Sequence, residues 1–98
     1  MNYILENTLE YKKWFLQLKD KTCRNRLLLR LARIENGNFG DYKQLDENLF
    51  ELRCTFGGGL RVYYTLRGER VVLLLAGGNK SRQSSDIEKA KKMLRELE

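Results

Sequence analysis

The stretch that most constrains the fold is Asn48 to Gly78, NLFELRCTFGGGLRVYYTLRGERVVLLLAGG. Its first run, Leu49 to Phe56, alternates, with Phe50, Leu52, Cys54 and Phe56 on one side and Glu51, Arg53 and Thr55 on the other. The second run, Leu60 to Arg67, sets Leu60, Val62, Tyr64 and Leu66 against Arg61, Tyr63, Thr65 and Arg67. Side chains on a strand change face with every residue, so each run has one apolar and one polar face. The third run, Val71 to Ala76, is apolar on both faces, the pattern of a central strand covered on both sides. Gly57-Gly58-Gly59 and Arg67-Gly68-Glu69 separate the runs, and glycine supplies the positive φ that hairpins require. Three consecutive antiparallel strands follow, and the polar faces of the first two carry arginines and a tyrosine.

The remaining segments supply helices to cover this sheet. Tyr3, Ile4 and Leu5 form a short first strand within Met1 to Glu6. A helix over Thr8–Leu18 places Tyr11, Trp14, Phe15 and Leu18 on one stripe, with Asn7 and Glu10 as its capping box. A second helix over about Lys21–Glu35 aligns Cys23, Leu27, Leu31 and Ile34 and ends at Asn36-Gly37. The arginines interleaved there, Arg24, Arg26, Arg30 and Arg33, read either as a solvated face or as a nucleic-acid contact. The short link between the two helices points to an antiparallel pair. Tyr42–Asp46 reads as a strand turning at Glu47-Asn48. Gly77 to Ser84 reads as a polar loop. Ser85 then caps a last helix with Glu88 as its partner, and Ile87, Ala90, Leu94 and Leu97 face inward with Met93 at the edge. The order is β–α–α–β–β–β–β–α in one α+β domain, residues 1–98.

Composition narrows the chemistry. There is no histidine, which removes serine–histidine and cysteine–histidine catalysis, and two cysteines cannot make a four-ligand zinc site. Neither a metal nor a cofactor is expected. Cys23 and Cys54 read as small core residues in a reducing compartment. No apolar run approaches the ~20 residues of a membrane span, and no signal-peptide pattern is present, so a cytoplasmic protein is expected. The 19 basic and 13 acidic residues give a net charge of +6, which favours polyanions.

The basic residues converge on one place. Arg53 and Arg61 lie on adjacent strands on the same polar face, Tyr63 is two residues from Arg61, and Lys80 and Arg82 leave the end of the next strand. Adjacent strands are ~4.8 Å apart, so these side chains can surround one phosphate. Arginine's planar fork suits that task, and a neighbouring tyrosine can stack on a base. The competing reading pairs Arg53 and Arg61 with Glu51 and Glu69 across the strands. The three glycines lack a P-loop lysine at the required spacing.

Four motifs in order, GNFGDYK (Gly37 to Lys43), ELR (Glu51 to Arg53), GLRVYY (Gly59 to Tyr64) and GGNKSRQSSDI (Gly77 to Ile87), resemble the RelE/ParE toxin superfamily. The nearest branch is that of the HigB-like, phage-related addiction-module killer proteins. The resemblance implies a RelE-like fold, a twisted antiparallel sheet with two N-terminal helices and a C-terminal helix. It also implies a type II toxin that acts as a metal-independent, ribosome-dependent messenger-RNA endonuclease in the ribosomal A site. The implied partner is a cognate antitoxin of the helix-turn-helix, HigA-like kind, through which the pair binds operator DNA. The resemblance equally admits a ParE-like inhibitor of DNA gyrase, or an inactive relative acting mainly through its antitoxin. Carried onto this chain, it marks Arg61 and Lys80 for phosphate and transition-state charge and Arg53 as a second clamp. Glu51 is the candidate base, and Tyr63 the candidate to stack or donate. Arg82, Arg67, Arg30 and Arg33 are the further RNA-binding candidates. Two departures stand out. Ser84 to Ala90 lacks the tyrosine of RelE's final helix, and Glu51 stands where RelE has a lysine. For the antitoxin, the arginine-rich helix and the C-terminal helix are the exposed candidates.

Overall fold

The computed structural model describes residues 2–97. Its elements are β1 (Ile4–Asn7), α1 (Leu9–Leu16), α2 (Lys21–Glu35), β2 (Tyr42–Asp46), β3 (Leu49–Arg53), β4 (Arg61–Arg67), β5 (Val71–Gly78), a 3-10 turn (Lys80–Arg82) and α3 (Gln83–Leu97). The five strands form one sheet in the order β1-β5-β4-β3-β2. From β2 to β5 every pairing is antiparallel, but β1 runs parallel to β5, so the sheet is mixed at that edge. The fold is the expected α+β arrangement, with that one strand as the exception.

Each face of the sheet carries its own core. On one, Leu52, Val62, Tyr64, Val72 and Leu74 pack with Tyr11 of α1 and with Leu27, Leu31 and Ile34 of α2. On the other, Leu49, Tyr63, Leu73 and Leu75 pack with Ala90 of α3, flanked by Ile87, Met93 and Leu94. This second core explains why Val71 to Ala76 is apolar on both faces. It also corrects the reading of the first two strands. The face that carries Glu51, Arg61, Tyr63 and Thr65 is not solvated, because α3 covers it, and all four residues are buried.

The helix ends follow local chemistry. Asp20 caps α2 by accepting from the backbone N–H groups of Thr22 and Cys23. Thr8, not Asn7, caps α1, accepting from Tyr11 N and donating its own hydroxyl to the Leu75 carbonyl at 2.6 Å. That second bond is out of reach of Asn7, which β1 uses as its last paired residue. Ser85 is likewise displaced as a cap: α3 begins two residues earlier, because Asn79 turns the chain by accepting from Ser81 N and Oγ. Leu97, expected inside, is 45% exposed. Both cysteines are free. No helix is long and apolar enough to cross a membrane.

Two glycine groups fix the geometry near the site. Gly57, Gly58 and Gly59 hold φ of 61°, 71° and 81°, three successive left-handed residues. At the end of β5, Gly77 and Gly78 lack side chains for another reason. A Cβ on Gly77 would meet the Trp14 indole of α1, and one on Gly78 would meet the Asp86 carboxyl of α3. β5 contributes an extra residue, Leu75, between the pairs Tyr63↔Ala76 and Tyr64↔Leu74. As successive strand residues the two glycines face opposite sides of the sheet, so each receives one helix.

Two predictions follow from these contacts. Gly58→Ala meets open space and carries only the left-handed penalty, about 1–2 kcal/mol, whereas Gly57→Ala adds a clash with Leu60 Cγ at 2.9 Å. Denaturant titrations should therefore rank Gly57→Ala below Gly58→Ala, and equal midpoints would contradict the packing. Asp86 is the second case: burial raises its carboxyl pKa, against smaller opposing effects of Arg82 and Lys89. Ionised Asp86 is thus disfavoured in the fold, a cost present at neutral pH that disappears as pH falls below the unfolded value near 3.9. Asp86→Asn should raise the thermal midpoint at pH 7, and the gain should shrink on acidification.

Candidate functional site

The antiparallel register brings the expected site residues into two rows. Glu51 lies opposite Tyr63, and Arg53 opposite Arg61, on the α3 side of the sheet. Arg61 in turn lies opposite Gly78, the last residue of β5. Lys80 follows at once and packs beside the glycine turn: a Cβ on Gly59 would sit 3.2 Å from Lys80 Cβ and 3.6 Å from Arg61 Nη1. Arg53, Arg61 and Lys80 therefore gather at one end of the sheet, around the first turn of α3.

The centre of the group is Glu51. Its side chain is fully buried, with Oε1 3.8 Å from Arg53 Nε and 3.9 Å from Arg61 Nε. Its Oε2 accepts a hydrogen bond from Gln83 Nε2 of α3 at 2.8 Å. Burying a carboxylate is costly unless charges and donors surround it, and here two guanidinium groups and an amide do so. Glu51 is thus an anchor for cations, shut away from anything that approaches from solvent. Glu69, the other proposed acid partner, sits in the exposed β4–β5 turn and pairs with neither arginine.

Arg61 is also held inward. Only 6% of it is exposed, and its Nη1 donates to the carbonyls of Cys54, Gly59 and Leu60 at 3.2–3.3 Å. These bonds staple the two ends of the glycine turn. Tyr63 is wholly buried, so it has no face on which a base can stack. Burial pushes its hydroxyl pKa up, and the Glu51 and Asp86 carboxylates push it further. Arg53 is the opposite case: 41% of its side chain is exposed, and it stands at the rim with Lys80 and Arg82, both exposed.

The other basic candidates divide. Arg30 is structural: its Nη1 donates to the Arg53 carbonyl at 2.8 Å and its Nη2 to the Asp41 carbonyl at 3.2 Å, tying α2 to the end of β3. Arg33 is exposed on α2, which packs on the other face of the sheet. Arg67 is exposed at the far end of β4, six residues and roughly 20 Å of strand from Arg61. Neither Arg33 nor Arg67 joins the cluster.

Three residues belong to the site that sequence reasoning did not select. Lys43 of β2 lies opposite Glu51 and is exposed, which extends the cationic row by one strand. Its place in the GNFGDYK motif was the available signal. Gln83 and Asp86 come from the first turn of α3, and only the helix start at Gln83 brings them against β3 and β5. Among the described residues no group of three His, Cys, Asp or Glu side chains gathers that could hold a metal ion. The arrangement can do one thing well: present fixed positive charge to an anion at the sheet's rim, backed by a buried carboxylate.

Comparison with known proteins gives this geometry a family. The family described as "Phage derived protein Gp49-like (DUF891)" matches residues 13–97. A Haemophilus influenzae protein described as uncharacterized is 38% identical over 97 residues, which cover 99% of this chain and 98% of that one. Among solved structures, a mutant of the E. coli toxin RelE in the free state superposes with a TM-score of 0.72 at 18% identity, covering 92% of this chain and 94% of RelE. The isolated E. coli RelE toxin gives 0.68 at 20% identity over 93% and 98% of the two chains. A chain of the intact E. coli RelBE toxin-antitoxin complex gives 0.66 at 21% identity over 79% and 95%. With the family shown over most of its length and the fold by these superpositions, the chain belongs to the phage-derived Gp49-like family and has the fold of the RelE toxin.

Proposed function

We propose that this protein is the toxin of a type II toxin-antitoxin pair, of the HigB-like branch, and that it cuts messenger RNA on the ribosome. The observation that carries the reading is the convergence of Arg53, Lys80 and Arg82, exposed, over the buried Glu51–Arg61 pair. A group of fixed cations at a rim suits RNA cleavage by internal attack. The 2′-hydroxyl oxygen attacks the adjacent phosphorus, the bond to the 5′-oxygen of the next nucleotide breaks, and a cyclic phosphate and a free 5′-hydroxyl result. Negative charge grows on the non-bridging oxygens, and preorganised cations lower that barrier without rearranging.

In this scheme Arg53 and Lys80 touch the phosphate, and Lys43 and Arg82 hold the flanking backbone. Arg61 and Glu51 are positioning residues: Arg61 fixes the glycine turn beside Lys80, and Glu51 orients Arg53. Neither Glu51 nor Tyr63 is given the proton transfers, since both are buried. The ribosome supplies the in-line geometry of the message. The partner is a cognate antitoxin, a reading supported by RelE-fold structures described in complex with RelB.

The test is message cleavage in a translating extract, mapped by primer extension beside the same RNA without ribosomes. Cuts that appear only with ribosomes are expected. Arg53→Ala with Lys80→Ala should lower cleavage about a hundredfold or more while leaving the unfolding midpoint near that of the parent. Full cleavage by that folded double variant would overturn the assignment, and intact message with induction of the DNA-damage response would point to gyrase instead.

Arg61 should behave differently. Arg61→Ala leaves Glu51 buried with one cation fewer, so it should cost about 3–5 kcal/mol of stability. Adding Glu51→Gln should recover part of that stability without recovering cleavage, because the turn beside Lys80 stays unstapled. Loss of activity at unchanged stability would instead place Arg61 on the substrate.

A further inference from the structure

The loop between α2 and β2, residues 36–41, closes around one side chain, that of Arg30. Its guanidinium starts from α2, on the face of the sheet away from α3, and ends where β3 leaves the sheet. Nη1 donates to the Arg53 carbonyl at 2.8 Å, and Nη2 to the Asp41 carbonyl at 3.2 Å. The same Asp41 carbonyl accepts from Arg53 N at 2.9 Å. One planar fork therefore bridges the two chains at their last backbone rung. Nη1 also lies 3.7 Å from Cys54 Sγ, and the Cys54 carbonyl takes a hydrogen bond from Arg61 Nη1 at 3.2 Å.

The loop is shaped to this fork. Gly40 holds φ at 64°, and a Cβ there would stand 3.1 Å from Arg30 Nη2 and 3.4 Å from Nε. Gly40 N donates in turn to Asn38 Oδ1 at 3.1 Å, which fixes the loop locally. The motif from Gly37 to Lys43 thus seats a guanidinium. Two rim cations extend from the clamped backbone. Arg53 is itself one of the clamped residues, and Lys43 is two residues on from Asp41, opposite Glu51. Arg30 reaches neither side chain and contacts no ligand. It holds the strand ends from which both project.

We propose that Arg30 is a positioning residue for the rim, acting through the sheet from its opposite face to set Arg53 and Lys43 against RNA phosphates. This assignment rests on the reading of the rim as an RNA site. It depends on shape and not on charge alone, because a guanidinium spans two acceptors in a fixed plane whereas an ammonium is a point charge on a flexible stem. Small displacements matter here, since a ~1 Å misplacement far from the chemistry can cost about a hundredfold in rate.

The experiment compares Arg30→Lys, Arg30→Ala and Arg33→Lys in the full chain. Two readouts are taken well below each unfolding midpoint: affinity for a fluorescent single-stranded oligouridylate without ribosomes, and cleavage in the translating extract. Arg30→Lys keeps the net charge, yet it should weaken oligonucleotide binding about fivefold and slow cleavage about tenfold or more. Arg33→Lys, on an exposed arginine of the same helix, should match the parent in both. Millimolar methylguanidinium should restore most of the affinity lost in Arg30→Ala by occupying the vacated seat, whereas methylammonium should not. Parental binding and cleavage by Arg30→Lys, an equal loss in Arg33→Lys, or no rescue of folded Arg30→Ala would each overturn the assignment. If Arg30→Ala does not fold, the comparison of Arg30→Lys with Arg33→Lys decides alone. Cleavage by the parent that is unchanged in Arg30→Lys would remove the positioning role and leave the nuclease. RNA affinity that falls in Arg30→Lys, in a chain that never cleaves, would remove the nuclease and leave the positioning role. A parent with no RNA affinity would overturn both.

Discussion

The buried carboxylate of Glu51 is the constraint on which the site depends. A negative charge in the middle of a sheet, beneath a helix, is tolerable only if positive charge and hydrogen-bond donors are brought to it. Arg53 and Arg61 come from neighbouring strands by register, and Gln83 comes from α3. Meeting this one requirement fixes three things at once: the position of Arg53 at the rim, the inward turn of Arg61 onto the glycine-loop carbonyls, and the docking of the first turn of α3. The same helix start then sets Lys80 beside Gly59 and Asp86 against Gly78. The cationic rim is therefore built outward from a buried charge.

Much of the fold was legible because strand and helix periods are local properties. The period-2 runs over β3 and β4, the doubly apolar β5, and the bounds of α2 and β2 agree with the structure, except that β3 ends at Arg53 and not at Phe56. What escaped was which faces are covered. Alternation says that Glu51, Arg61 and Tyr63 share a face, but not that α3 lies across it, and their polarity made solvent the natural assumption. Thr65 shows why the assumption fails: a buried face can include polar atoms when their partners are supplied, as Thr65 Oγ1 donates to the Asn48 carbonyl at 2.6 Å. The caps escaped for a related reason. Asn7 and Thr8 are both competent N-caps, and so are Asn79 and Ser85, and the choice between them rests on tertiary contacts such as Thr8 to Leu75. The parallel pairing of β1 is a non-local contact that no short window contains.

Near the candidate site, the closeness of Arg53 and Lys80 to Arg61 could be read from sequence because they lie on or beside neighbouring strands, and register follows from the hairpin turn. Arg30, Arg33 and Arg67 were grouped with them on charge alone. The structure separates them: Arg30 spends its donors on two backbone carbonyls, Arg33 is exposed on the helix covering the other face, and Arg67 is exposed at the far end of β4. Lys43 was passed over because β2 is a short edge strand whose pairing to Glu51 becomes visible only once β2 and β3 are registered.

This sorting changes what the net charge of +6 means. Arg30 is committed to carbonyl oxygens, which it binds without being neutralised, so it still contributes to the field, whereas Arg61 is offset by Glu51 as well as held by carbonyls, and neither is available for contact. The accessible donors are Lys43, Arg53, Lys80 and Arg82, all at one end of the sheet, and of these only Arg53 lies within 4 Å of an acid. Under the proposed reading a polyanion would be drawn by the whole charge but gripped at one place, because long-range attraction depends on total charge and binding depends on accessible donors. Substituting a committed arginine removes stability and field together, whereas substituting a rim cation removes the grip and leaves the scaffold. An acidic segment able to silence such a protein need not reach Glu51 or Arg61. It has only to occupy the rim.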